Sequence, residues 1–158
     1  MLKRSFLLAA TTLALIGCAS TPASTTITDT VARNPQLSTL NKLLADAGLA
    51  DMLRGAGPYT VFAPTDDAFK AVPAKTLADL ADNKELLRSV LSYHVLPGSV
   101  KSTDVKVGNL KTVQGATVAV ASAGSMLTVE DAVVTQADVT ASNGVIQVVD
   151  RVLMPPKK

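Results

Sequence analysis

The 158-residue chain contains no tryptophan, one cysteine and one histidine. Each shortage closes a class of function. A single cysteine allows no intramolecular disulfide, so the folded part must be held by its core. One cysteine and one histidine are too few soft ligands for a zinc site, and neither a metal nor a cofactor is expected. His94 would have to be the base of any Ser-His-acid hydrolase. No Gly-x-Ser-x-Gly turn presents a nucleophile to it; Gly98-Ser99 and Gly124-Ser125 are fragments of loops. Aromatic residues make up 3% of the chain, a poor stock from which to build stacking platforms for sugars or bases.

Charge of either sign is also in short supply. The formal net charge is +2, and discounting Lys3 and Arg4 leaves basic and acidic residues equal in number. A balanced chain lacks the basic excess that phosphate backbones require, so no nucleic-acid partner is expected.

Lys3 and Arg4 precede an uncharged apolar run over residues 6–16. That run falls short of the roughly 20 residues needed to span a bilayer and reads as an export signal. It ends in Leu15-Ile16-Gly17-Cys18, the pattern of a bacterial lipobox. The expected organisation is a lipoprotein signal peptide over 1–17, a lipidated Cys18 with a small polar tether over 18–26, and one domain over 27–156. The protein is then exported and lipid-anchored to the bacterial membrane. Ala19, rather than Asp, follows the cysteine, which points to the outer membrane in a Gram-negative envelope.

Along the domain, apolar residues recur at helical spacing through Leu37, Leu40, Leu43, Leu44 and Ala47, with Gly48 as the stop. Another turn is expected over 49–53. The stretch from Gly57 to Phe69 joins a Pro58 turn, a short strand over 59–62, a break at Ala63-Pro64 and a helix start. There Thr65 is the N-cap, and Asp66 and Asp67 lie in the first turn, where the helix dipole favours negative charge. Helices should also run from Pro73 to about Leu80 and over 83–93, the latter with Leu86, Leu87, Val90 and Leu91 inward. Short β-runs follow at about 110–113, 117–121, 126–130, 132–135 and 145–153, punctuated by glycines and Asn143-Gly144. Helices crowd the first half and strands the second, an α+β arrangement.

Three ordered segments sharpen this. They are the joint from Gly57 to Phe69, Leu91-Ser92-Tyr93-His94-Val95-Leu96-Pro97-Gly98, and the segment from Asn143 to Pro155. At these spacings the chain resembles the fasciclin (FAS1) family from about Ile27 to Pro155. The resemblance implies a compact β-sandwich or wedge of about seven strands with helices packed around one side. It also implies a non-catalytic binding or cell-adhesion module, here expected as a monomer with an envelope or extracellular protein or glycan partner.

The resemblance nominates contact residues as well. Tyr93 and His94 belong to a segment linked to adhesion in animal members, although His94 reads first as a structural histidine near the start of a strand. Asp138-Val139 matches an Asp-Ile pair implicated there in receptor binding. An exposed Asp138 at that position should tolerate truncation with a shift of no more than about 0.5 kcal/mol. The chain departs from the family at Gln147, where histidine is frequent. Glu130-Asp131 reads as solvated turn charge, and Asp150 as an acceptor of hydrogen bonds within the fold. Two other functions stay open: a carrier of a hydrophobic small molecule such as a lipid or carotenoid, and, with least support, a hydrolase.

Overall fold

The structure, a computed structural model, describes residues 25–105 and 107–156. The expected signal peptide, Cys18 and most of the tether lie outside the described residues. The tether ends earlier than expected. Thr26 is already the N-cap of α1 (Ile27–Arg33), in a capping box with Asp29. A 3-10 turn (Pro35–Leu37) leads into α2 (Ser38–Asp46) and α3 (Ala50–Arg54). Gly48 ends α2 as expected, with a φ of 67° that a β-carbon would disfavour.

Strand β1 (Tyr59–Pro64) follows, then α4 (Asp66–Lys70), α5 (Ala74–Asp82) and α6 (Lys84–Tyr93). Thr65 caps α4, accepting the Ala68 N–H at 3.2 Å. Asn83 caps α6 by accepting the Leu86 N–H at 3.0 Å. Leu87, Val90 and Leu91 of α6 face inward, whereas Leu86, expected with them, is 40% exposed. The remaining strands are β2 (Val95–Pro97), β3 (Gly108–Lys111), β4 (Thr117–Ala123), β5 (Met126–Val129), β6 (Ala132–Ala141) and β7 (Gly144–Val149).

These form a seven-stranded sheet in the order β2-β1-β7-β6-β5-β4-β3. All its pairings are antiparallel except β1 with β7. That parallel pair is buried on both faces, which is why its sequence is nearly continuous apolar. One face, through Val61, Ala63, Ile146 and Val148, meets the helices at Ile27, Val31, Leu44, Leu53, Leu87 and Leu91. The other, through Phe62 and Val149, closes on Val118, Val120, Leu127, Val129 and Leu153. Each Val, Leu, Ile or Phe among them stabilises the fold by about 1.5–3 kcal/mol when fully buried. The sheet curls so far that Val113, just past β3, donates its N–H to the Val95 carbonyl of β2 at 2.8 Å. The expected wedge is thus a single sheet, almost closed into a barrel, with the helices on one side.

β1 and β7 begin in close contact. A β-carbon on Gly144 would lie 1.9 Å from the Tyr59 carbonyl oxygen, so only glycine fits there.

Candidate functional site

Strand β6 runs on to Ala141, past residue 135 where the expected β-run ends. The register slips on both sides of Gln136, and Asp138 adopts a φ of 56°. This bulge turns the Asp138 carboxylate onto the loop after β2. Oδ1 accepts the Ser102 N–H at 2.7 Å, and Oδ2 accepts the Ser102 hydroxyl in a short hydrogen bond. Gln147 on β7, buried, accepts the Asp138 N–H at 3.1 Å and donates Nε2 to Oδ1 at 2.9 Å. The same amide nitrogen reaches the Val100 carbonyl at 3.4 Å. Burial works against the charge on Asp138, but the Ser102 and Gln147 hydrogen bonds outweigh it and hold the carboxyl below its ordinary range.

Asp138 is therefore half-buried and engaged, not the exposed contact expected from its position. Val139 is also half-buried and packs against the helix-side core. The loop they organise does present exposed side chains, at Lys101, Thr103 and Asp104, with Thr140 exposed on β6. Lys101 and Thr140 share a surface groove of about 470 Å³ with Ser99, Ser142 and Pro58. Thr60 fixes the base of the loop. Its hydroxyl donates to the Gly98 carbonyl and accepts the Val100 N–H, both at 2.8 Å.

Tyr93 and His94 lie elsewhere and are each only 2% exposed. The expectation that they extend a contact surface does not fit this burial. His94 Nδ1 pairs with the Val90 carbonyl at 2.8 Å, so that nitrogen carries the proton. Nε2 then accepts the Leu153 N–H at 2.9 Å. Burial drives the imidazole pKa down to about 4, against the smaller opposing effect of the Val90 carbonyl. The Tyr93 hydroxyl lies 3.0 Å from the Thr117 carbonyl and 3.2 Å from Glu130 Oε1. Burial, then the Glu130 charge, pushes it up to about 12. Glu130 is not simple turn charge, because Oε1 also accepts the Ala119 N–H at 2.8 Å.

Other polar residues of the motif segments serve the fold. Asp66 reaches back to cap α2, accepting Ser38 Oγ at 2.7 Å and the Thr39 N–H at 2.8 Å. Asp150 accepts the Val133 N–H at 2.7 Å, as expected of it. Asn143 was read only as a turn residue. Its Oδ1 accepts the Ile27 N–H at 2.9 Å, and its Nδ2 donates to the carbonyls of Leu53 at 2.5 Å and Gly55 at 3.0 Å. One amide thus ties the start of α1, the end of α3 and the β6–β7 turn. No single-sequence signal marks that partnership, nor those of Ser102 and Thr60.

Residues 35–155 match the Fasciclin domain family, described as "Fasciclin domain". The chain belongs to the fasciclin family. Among its relatives, Protein sll1483 of Synechocystis sp. is 40% identical over 145 residues, which cover 90% of this chain and 81% of that protein. Immunogenic protein MPB70 of Mycobacterium bovis is 42% identical over 128 residues, covering 78% of this chain and 65% of the relative. Cell surface glycolipoprotein MPB83 of the same species is 39% identical over 145 residues, covering 89% and 63% respectively. This fasciclin chain therefore spans slightly under two thirds of the two mycobacterial proteins. In structure it is similar to a FAS1 domain pair from the insect cell adhesion molecule Fasciclin I, with a TM-score of 0.65 and 20% identity. That match covers 83% of this chain and 51% of the pair, and it shows the fold.

Proposed function

We propose that this fasciclin domain is a non-catalytic binding module of the bacterial envelope, exported and anchored through lipid on Cys18. The observation that carries the binding reading is His94. The chain's one imidazole is buried, and both ring nitrogens are bonded to backbone, so it has no free lone pair or proton to offer a substrate. The lipobox supports the anchor, as does a relative described as a cell surface glycolipoprotein.

The contact surface is centred on the β6 bulge. Asp138 and Val139 shape it from beneath, while Lys101, Thr103, Asp104 and Thr140 do the touching. The partner is a protein or glycan of the envelope or its surroundings. The test compares capture of envelope components by wild-type protein and by Lys101→Glu and Thr140→Lys variants of unchanged melting temperature. The reading predicts that both variants lose the captured species. Undiminished capture by both would overturn it.

One observation favours the carrier reading. A groove of about 430 Å³ runs between the α4–α5 loop and the C-terminal segment, lined by Ala68, Val72, Pro73, Val152 and Met154 together with Arg151. Solvent extraction of purified protein followed by mass spectrometry would reveal a bound lipid or pigment.

A further inference from the structure

We infer that the β6–β7 end of the domain is its membrane-facing pole, held against the lipid headgroups by the shortness of the link to Cys18. This inference rests on the proposed lipid anchor. The described chain begins at that pole. The Thr25 carbonyl accepts the Ser142 N–H at 2.8 Å, and the Ile27 N–H is held by Asn143. The start of the domain is thus fastened to the β6–β7 turn.

Two lengths decide the orientation. Cys18 and Thr25 are separated by seven residue steps, which cover at most roughly 25 Å in any conformation. Strand β6 has 10 residues and carries the chain about 30 Å from the turn at Asp131 to the turn at Ser142. Were the Asp131 pole resting on the bilayer with β6 upright, Thr25 would stand about 30 Å above it, beyond the roughly 25 Å that the link can reach. With the Ser142 pole down, the link is long enough with slack.

The lining of this pole suits the headgroup zone. Ser99, Lys101, Thr140 and Ser142 present hydroxyls and one cation around the 470 Å³ groove. There is a consequence for the partner. Asp138 stands four residues before Ser142, about 13 Å along the strand. A contact surface at the bulge therefore opens close to the bilayer, and a partner that uses it lies against the same membrane.

The test uses full-length lipidated protein reconstituted into phosphatidylethanolamine–phosphatidylglycerol vesicles. Lipidation blocks Cys18, so a fluorophore can be placed on Ser142→Cys at one pole or Asp131→Cys at the other. Lys101→Cys and Lys70→Cys form a second pair in case either of the first fails to fold. The acceptor is rhodamine-labelled phosphatidylethanolamine. Flotation with the vesicles and stronger energy transfer from Ser142→Cys and Lys101→Cys is the expected result. Flotation with equal or stronger transfer from Asp131→Cys and Lys70→Cys would overturn the orientation while leaving the anchor intact. Failure to float would overturn the anchor itself, and the inference with it.

Discussion

Asp138 and Gln147 hold each other twice across the β6–β7 pair, through the Asp138 N–H to Oε1 at 3.1 Å and Nε2 to Oδ1 at 2.9 Å. This reciprocal pair fixes the bulge and, through Ser102, the loop after β2. Asp138→Ala removes the charged acceptor and leaves the buried Gln147 amide and the Ser102 N–H short of partners. The expected cost is about 2–3 kcal/mol, well beyond the shift of an ordinary surface change. Urea midpoints would check it, and a change within about 0.5 kcal/mol would return Asp138 to the status of a free surface carboxylate.

Asn143 makes a second, independent prediction. Asn143→Ala deletes three hydrogen bonds at once, at a cost of about 2–4 kcal/mol. Asn143→Asp should be no milder, because it turns a carboxylate oxygen toward the Leu53 and Gly55 carbonyls. Denaturant unfolding measures both, and a stable Asn143→Asp protein would contradict the assignment of the amide.

Thr65 gives a smaller effect. Its hydroxyl accepts the Ala68 N–H of α4, and capping residues of this kind lose about 0.5–2 kcal/mol on replacement by alanine. Thr65→Ala should lower the denaturant midpoint by that amount and leave partner capture unchanged. An unaltered midpoint would mean that α4 draws no stability from its cap.

Stability should fall on acidification in two stages. From the ordinary histidine pKa of 6.5 down to about 4, the unfolded chain binds a proton that folded His94 refuses. Stability is therefore full above that window and drops by about 3 kcal/mol through it. Below it, Asp138 and Asp66, whose folded carboxyls are held below the ordinary 3.8, lose their contribution as they protonate. His94→Gln should be less stable at neutral pH yet flat between pH 6.5 and 4. A variant that kept the wild-type slope there would show that other groups carry it.

What the sequence made legible was local. Thr65 after a strand, Gly48 after a helical run and the apolar face of α6 each state their structure within a few residues. The α+β order and the three motif segments followed from the same kind of signal. Two elements were given no range, for opposite reasons. Thr26 and Asp29 form a capping box visible in sequence, yet the short α1 that follows, within the expected domain, was given no helix. Strand β2 has three residues, too few for any periodicity. The length of β6 was hidden because its bulge breaks alternation at Gln136 and Asp138. The candidate site suffered most, since the partners of Asp138 lie 36 residues before it and nine after it. Such pairings depend on strand register, which no single segment encodes.

The most direct test of the account is nitrogen-15 NMR of the sole histidine over pH 7 to 3.5. The central claim is that the one imidazole is a structural clamp between Val90 and Leu153, leaving the domain to act by binding. It predicts a single neutral ring, protonated at Nδ1, that stays neutral down to about pH 4. A ring that titrates near 6.5, or that carries its proton on Nε2, would contradict the clamp and return His94 to the list of possible catalytic groups.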